Sequence, residues 1–230
     1  MHKSSPARVR LGSLCLGASA LLLTVFPLVR PFFPLDVFEP ARTLDLGGSA
    51  LASASWLIAH LGGMLGFALL PLGLLTLYFH VADGTAEPRT LRGLVMSMAG
   101  IALVMPAFGV ETFSVPILAR MYLAGATDVA PMLASTYRGP MTLVMLLGLL
   151  LLAIGAFDFA VAIRRDGRLP RWAGIVFALG LALWLPLLPR PIRVADGFLI
   201  GIGGGWLAWS MWQSLRAPAA LPDVSDVSLP

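Results

Sequence analysis

Residues 197–212, GFLIGIGGGWLAWSMW, decide the fold of this chain, because they carry no charged side chain and mix glycine with large apolar residues. Small residues at helical spacing among apolar ones are typical of helices that pack against each other in a bilayer. Further apolar stretches of similar or greater length recur along the chain, and one of them is long and broken. The sequence therefore predicts an integral membrane protein, an all-α bundle that crosses the bilayer several times.

The composition supports this fold class. The 230 residues are 58% hydrophobic and 12% charged, with a mean hydropathy of +0.86, whereas soluble domains are about 25% charged. A spanning helix needs roughly 20 apolar residues, so we expect about six helices within one transmembrane domain, residues 1–216. The net charge of +4 comes from basic residues at helix ends, and we expect the lipid bilayer, not nucleic acid, as the partner.

The apolar stretches and the charged segments between them set the expected boundaries. Helices are expected at about 11–29, 53–80, 93–120, 140–163, 172–188 and 194–215. The third is expected to be broken because Glu111 lies between Pro106 and Pro116. It is either one kinked helix or a span followed by an interfacial or re-entrant segment. Loops are expected at 31–49 and 121–140, and a disordered cytoplasmic tail at 217–230.

The basic residues also predict an orientation. With the N-terminus inside, the inner segments hold ten of the 16 lysines and arginines and the outer segments hold six. Cytoplasmic loops of membrane proteins carry the excess of positive charge. We therefore expect a multi-pass protein of the inner (plasma) membrane with both termini in the cytoplasm.

A weak internal repeat and one resemblance concern the same bundle. ARVRLG (7–12), RTLRG (89–93) and RLPRWAG (168–174) each open an odd-numbered helix, which suggests three helical hairpins or chance, since basic residues flank helices anyway. The segment AIRRDGRLPRWAGIVFALG (162–180) resembles a connection in a family of uncharacterised bacterial six-helix integral membrane proteins. That resemblance implies the fold only, and no activity or site residues.

Glycines offer faces for close helix packing. Gly197, Gly201 and Gly205 lie four residues apart in the last helix, and Gly62 and Gly66 lie on the second. Such faces bring helix backbones together in lipid. They predict packing within the chain, or alternatively a seam for a homo-oligomer or for another membrane protein.

Ionisable residues at membrane depth are the candidates for function, because each costs roughly 2.5–3.5 kcal/mol on insertion scales. Near the outer helix ends lie His60, Glu111, Arg193 and Asp196. We expect them to line an outward-opening pocket where Glu111 and His60 exchange a proton, since histidine titrates near neutral pH. Alternatively they satisfy one another structurally, or Glu111 lies among the headgroups. Asp158, at the inner side, is expected to pair with Arg164 or Arg165.

Several other chemistries lack their residues. Three histidines, one of them in the N-terminal tail, and one cysteine are a poor supply for zinc, and His60 and His80 lie about 30 Å apart along one helix, too far to clamp a haem. A GxSxG elbow is missing. We expect no cofactor, and the sequence favours a protein that is not an enzyme without excluding one. Two functions stay open, binding or transport of a small molecule or proton, and a scaffold that packs through glycine faces. A lipid enzyme ranks third.

Overall fold

The computed structural model describes residues 5–33, 39–81, 87–126, 128–186 and 188–216, and all regular structure within these ranges is helical. The predicted tail, 217–230, lies outside the described residues. The helices are α1 (Pro6–Val29), α2 (Pro40–Leu51), α3 (Ala54–Val81), α4 (Glu87–Gly109), a π-helical turn (Val110–Ser114), α5 (Val115–Leu123), α6 (Val129–Arg138), α7 (Pro140–Asp166), α8 (Arg171–Leu183) and α9 (Arg190–Ser214). The predicted all-helical bundle is confirmed.

Four helices of the described chain are long and apolar enough to cross a membrane. They are α1, α3, the continuous stretch Glu87–Leu123 and the stretch Val129–Asp166. At 13 residues, α8 is shorter, and α9 has 25 residues but carries Arg190, Arg193 and Asp196 near its start. These helices are consistent with the predicted integral membrane protein.

The longer helices contact one another in chain order. α1 packs on α3, α3 on α4, α4 on α7, α7 on α8, α8 on α9, and α9 returns to α1. One apolar core lies among them and includes Leu16, Phe67, Leu152 and Leu207, all fully buried. This arrangement brings the end of α1 and the start of α9 to the same end of the bundle, which we call the Arg30 end.

Glycines permit the closest crossings in this core. A Cβ on Gly100 of α4 would lie 2.5 Å from the carbonyl oxygen of Gly148 in α7, so both positions need glycine. Gly197 of α9 similarly approaches α1, where the Thr24 hydroxyl donates to the Gly197 carbonyl at 2.8 Å. Gly201 also faces Thr24.

The remaining predicted packing glycines divide into two kinds. A Cβ on Gly66 would lie 3.1 Å from Leu23 of α1, so this glycine contributes to the crossing of α1 and α3. A Cβ on Gly62 or on Gly205 would meet nothing within 4 Å. These two positions therefore add no close contact within the described chain.

The expected loops at 31–49 and 121–140 each contain a helix. α2 buries Leu44 and Leu51, and α6 buries Val129 and Leu133, in a second apolar cluster formed with α5 and Trp56. Both helices are short, 12 and 10 residues, and lie between polar segments, so the sequence favoured loops there. They cover the Arg30 end of the bundle.

Several expected boundaries also differ. α1 begins at Pro6 instead of near 11, and α4 begins at Glu87 instead of near 93. α8 ends at Leu183 instead of near 188, and α9 begins at Arg190 instead of near 194, with Pro191 in its first turn. Proline is tolerated there because the amide of a first-turn residue has no helical partner. The third helix runs on to Leu123, and the π-helical turn lies at the position of the expected break.

The expected pairing of Asp158 is wrong. Its carboxylate accepts two hydrogen bonds from Arg92 of α4, at 2.7 and 2.6 Å, and not from Arg164 or Arg165 on its own helix. The helices α4 and α7 approach closely here because Gly93 has no side chain. A Cβ at this position would lie 3.0 Å from the Gly155 carbonyl oxygen. The ion pair therefore joins two neighbouring helices.

Candidate functional site

A small cavity of about 30 Å³ lies at the Arg30 end. Its lining consists of residues from α1, α3, α4, the π-helical turn, α7, the segment after α8, and α9. They are Phe26, Arg30, His60, Ala107, Phe108, Glu111, Met145, Trp184, Pro186 and Arg193. The structure thus brings three of the four predicted site residues, His60, Glu111 and Arg193, around one cavity.

The π-helical turn positions Glu111. Such a turn adds one residue to a helical turn and is frequent at functional sites. The Trp56 indole N–H of α3 donates to the Glu111 carbonyl at 2.8 Å, and the Thr112 hydroxyl donates to the Phe108 carbonyl at 2.6 Å. These two bonds fix the widened turn, and the Glu111 side chain lines the cavity.

The Nε2 atom of the His60 ring faces Glu111, and a hydrogen bond at Nδ1 fixes the tautomer of the ring. Its Nδ1 lies 2.8 Å from the Trp56 carbonyl oxygen, which only accepts hydrogen bonds, so Nδ1 carries the hydrogen. In the neutral ring Nε2 is then an acceptor, and it lies 3.5 Å from Oε2 of Glu111. An ionised carboxylate is also an acceptor, so these two atoms need a proton between them before they can bond.

Glu111 has a second neighbour in α6. The Tyr137 hydroxyl donates to the Glu111 carboxylate, while Oε2 of Glu111 has no hydrogen-bond partner among the described residues. One carboxylate oxygen is thus held in place, and the other is free to receive a proton. The His60 side chain is buried at 3% exposure, whereas the Glu111 side chain is partly buried at 18% exposure with its Oε2 fully covered.

Two arginines lie on aromatic rings beside this pair. The Arg193 guanidinium lies 5.0 Å from the ring centroid of Trp184 and 5.7 Å from that of Phe26. Arg30 lies over Trp56 at 4.6 Å. A cation over an aromatic face is attracted to the ring, more strongly where water is excluded. The rings therefore stabilise two positive charges in a largely apolar site.

Asp196 lies behind Arg193 and does not line the cavity. Its Oδ2 is 3.9 Å from Nε of Arg193, and both side chains are buried. Arg193 also donates from Nη1 to the Leu185 carbonyl at 3.3 Å. Asp196 therefore balances the charge of Arg193 from within α9.

Three polar atoms of the cavity lining are buried without a hydrogen-bond partner among the described residues. They are Oε2 of Glu111, Nε1 of Trp184 and Nε of Arg193. An unmade buried hydrogen bond costs about 1–3 kcal/mol, so native proteins satisfy such groups with water or a ligand. The cavity has room for about two water molecules at 10–15 Å³ each.

The sequence did not single out Arg30, Trp184 and Tyr137 as site residues. Arg30 directly follows the first expected helix, and Tyr137 falls in the expected loop 121–140. Their positions were the available signal, since Arg30 and Tyr137 flank expected helices and Trp184 lies near the end of one, all at the same predicted side of the membrane as Glu111. Which of these residues meet depends on the short segment after α8 and on α6, whose buried residues Val129, Ala130 and Leu133 do recur at helical spacing.

Within the described ranges, no group of three histidine, cysteine, aspartate or glutamate side chains is placed to hold a metal ion. No protein-family model, curated protein or solved structure matches this chain.

Proposed function

We propose that this chain is a multi-pass membrane protein that binds a proton and a small solute at the cavity, and carries them through an outward-facing polar site. The observation that carries the proposal is the pair of facing acceptors, Nε2 of His60 and Oε2 of Glu111, 3.5 Å apart in a buried site. One additional proton satisfies both atoms. Arg30 and Arg193 beside them supply charge for a solute.

The membrane arrangement belongs to the same proposal. Six helices, α1, α3, α4 with α5, α7, α8 and α9, cross the inner membrane as three hairpins, with both termini cytoplasmic. Contacts between successive helices and the distribution of basic residues support it. In this orientation the Arg30 end faces outward.

Proteoliposomes containing a pH-sensitive dye test this function. The outer solution is made more acidic than the liposome interior. The protein is expected to accelerate the decay of this pH gradient, and Glu111→Gln is expected to abolish the acceleration. Asp45→Asn is the matched control, because Asp45 is an exposed carboxylate of α2 whose partner is the Tyr122 hydroxyl, 2.6 Å away. Decay as slow as in empty liposomes, together with no retained mass in native mass spectrometry, would refute the function.

A scaffold is the second candidate, and a groove between α1 and α9 favours it. The groove has a volume of about 430 Å³ and is lined mainly by small residues and tryptophans, including Gly17, Ala18, Gly205 and Trp209. Gly205 has open space on its helix face. A helix of a second membrane protein would fit such a surface.

Native mass spectrometry from a mild detergent tests the scaffold. A dimer or a bound membrane protein that Gly205→Leu removes would favour it, since leucine fills the groove. A monomer that retains a small molecule would favour the cavity instead. Thr24 and Gly201 of the intramolecular crossing are unchanged in this variant, so the fold is preserved.

A further inference from the structure

We propose that the cavity binds a small monovalent inorganic anion of about halide size, and that Glu111 takes up one proton when the anion binds. The inference rests on the proposed function and names the solute of the same site. It is carried by the unpartnered donors of the cavity, its volume and its charges.

The free polar groups of the cavity are mostly donors. Nε1 of Trp184 carries a hydrogen with no partner among the described residues, and Trp184 lines the cavity. The Arg193 guanidinium also lines the cavity, while its Nε lies 3.9 Å from Oδ2 of Asp196 on the far side. The Arg30 guanidinium lines the cavity as well. A metal cation instead needs several oxygen ligands, and the carboxylate of Glu111 is the one anionic group of the lining. The donor set therefore selects an anion.

The volume limits the size of that anion. About 30 Å³ accommodates roughly two water molecules. Sugars, amino acids and nucleotides are too large unless the lining moves. The rings of Phe108 and Trp184 are stacked with centroids 5.5 Å apart, so a wall of the cavity is well packed. An ion comparable to one or two waters fits without rearrangement.

The charges around the cavity link the anion to a proton. The groups facing Glu111 are Arg30, His60 of α3, Tyr137 of α6 and Arg193 of α9, and Asp196 lies behind Arg193. When His60 is neutral, Arg30 and Arg193 balance Glu111 and Asp196. Arg190 shares the Phe32 ring with Arg30 but is exposed, so solvent screens its charge. An anion alone would leave a net negative charge in a largely buried site, which is costly. A proton on Glu111 restores neutrality and bonds to Nε2 of His60.

Fluorescence titration tests the proposal on the intact protein in nanodiscs. Sodium bromide is added at constant ionic strength against sodium gluconate, whose anion is too large for the cavity. Bromide quenches indole fluorescence, and we expect a saturable component from Trp184 that Trp184→Phe removes. Trp209→Phe is the matched control, because Trp209 is 57% exposed on α9 and lies outside the cavity.

The proton linkage gives a second readout. We expect the bromide affinity to rise about tenfold for each unit that the pH falls, as one proton per anion requires. Glu111→Gln, which mimics the neutral carboxyl, is expected to bind bromide with an affinity that does not change with pH. Arg193→Gln is expected to lose the saturable component, with folding checked by circular dichroism.

Two outcomes would overturn the inference. Quenching that never saturates and is equal in the parent protein and in Trp184→Phe means that the cavity holds water only. Saturable binding without pH dependence means that the anion binds without the proton. If gradient decay still depends on Glu111 in bromide-free and chloride-free gluconate buffer, the anion proposal fails and the proton function stands. If the protein shows neither saturable bromide quenching nor Glu111-dependent gradient decay in any buffer, both the anion proposal and the proton function are refuted.

Discussion

Nε2 of His60 lies 3.5 Å from Oε2 of Glu111, and the two residues come from helices that are joined at this point by the Trp56 indole. The His60 ring also lies 4.2 Å from the Trp56 ring and 5.2 Å from the Phe26 ring, centroid to centroid. His60 thus has two separable roles, as a packed ring and as a proton acceptor.

Two substitutions at His60 separate these roles. His60→Ala removes a buried ring, and we expect it to cost about 2–4 kcal/mol of stability, in the range of large-to-small core changes. His60→Phe retains a ring of similar shape, so thermal unfolding in detergent should show a clearly smaller loss. Both variants lack Nε2, and both should lose gradient decay in proteoliposomes. Full activity of His60→Phe would mean that His60 only packs.

The sequence predicted the helical bundle and three of the cavity residues because these depend on long apolar stretches and on charges at membrane depth. Glu111 stood out because a carboxylate interrupts an apolar segment between two prolines. The sequence did not reveal that Asp158 pairs with Arg92, because this contact depends on how closely Gly93 and Gly155 let α4 approach α7. Glycine content shows that close crossings occur but not which helices cross.

The ion pair between Arg92 and Asp158 makes a prediction about stability. The Asp158 side chain is 8% exposed, whereas that of Arg92 is 56% exposed. Arg92→Gln leaves a buried carboxylate without its cation, so we expect a larger fall in melting temperature than for Asp158→Asn, which leaves an exposed arginine. The double variant should resemble Asp158→Asn. Additive losses in the double variant would show that the two side chains do not act as a pair.

A glycine-to-alanine substitution is expected to have opposite effects on stability at Gly100, in the crossing of α4 and α7, and at Gly62 of α3. Gly100→Ala places a methyl group 2.5 Å from the Gly148 carbonyl oxygen, and we expect overpacking to cost about 1–3 kcal/mol. Gly62→Ala meets nothing within 4 Å and should be neutral or stabilising, since alanine favours the helix by roughly 0.5–1 kcal/mol.

Cys15, the single cysteine of the chain, is buried, so its reaction with a thiol-specific dye during heating measures unfolding. Equal unfolding temperatures for the two variants would contradict the close crossing.

Labelling of single cysteines tests which side of the membrane the cavity faces. In a Cys15→Ala background, Arg42→Cys places a thiol on α2 at the Arg30 end, and Arg168→Cys places one on the loop after α7. Both positions are exposed. A membrane-impermeant maleimide applied to intact spheroplasts should label only the first, and should label the second after permeabilisation. The reverse pattern would turn the Arg30 end toward the cytoplasm, and the site would then take its proton and its solute from inside the cell.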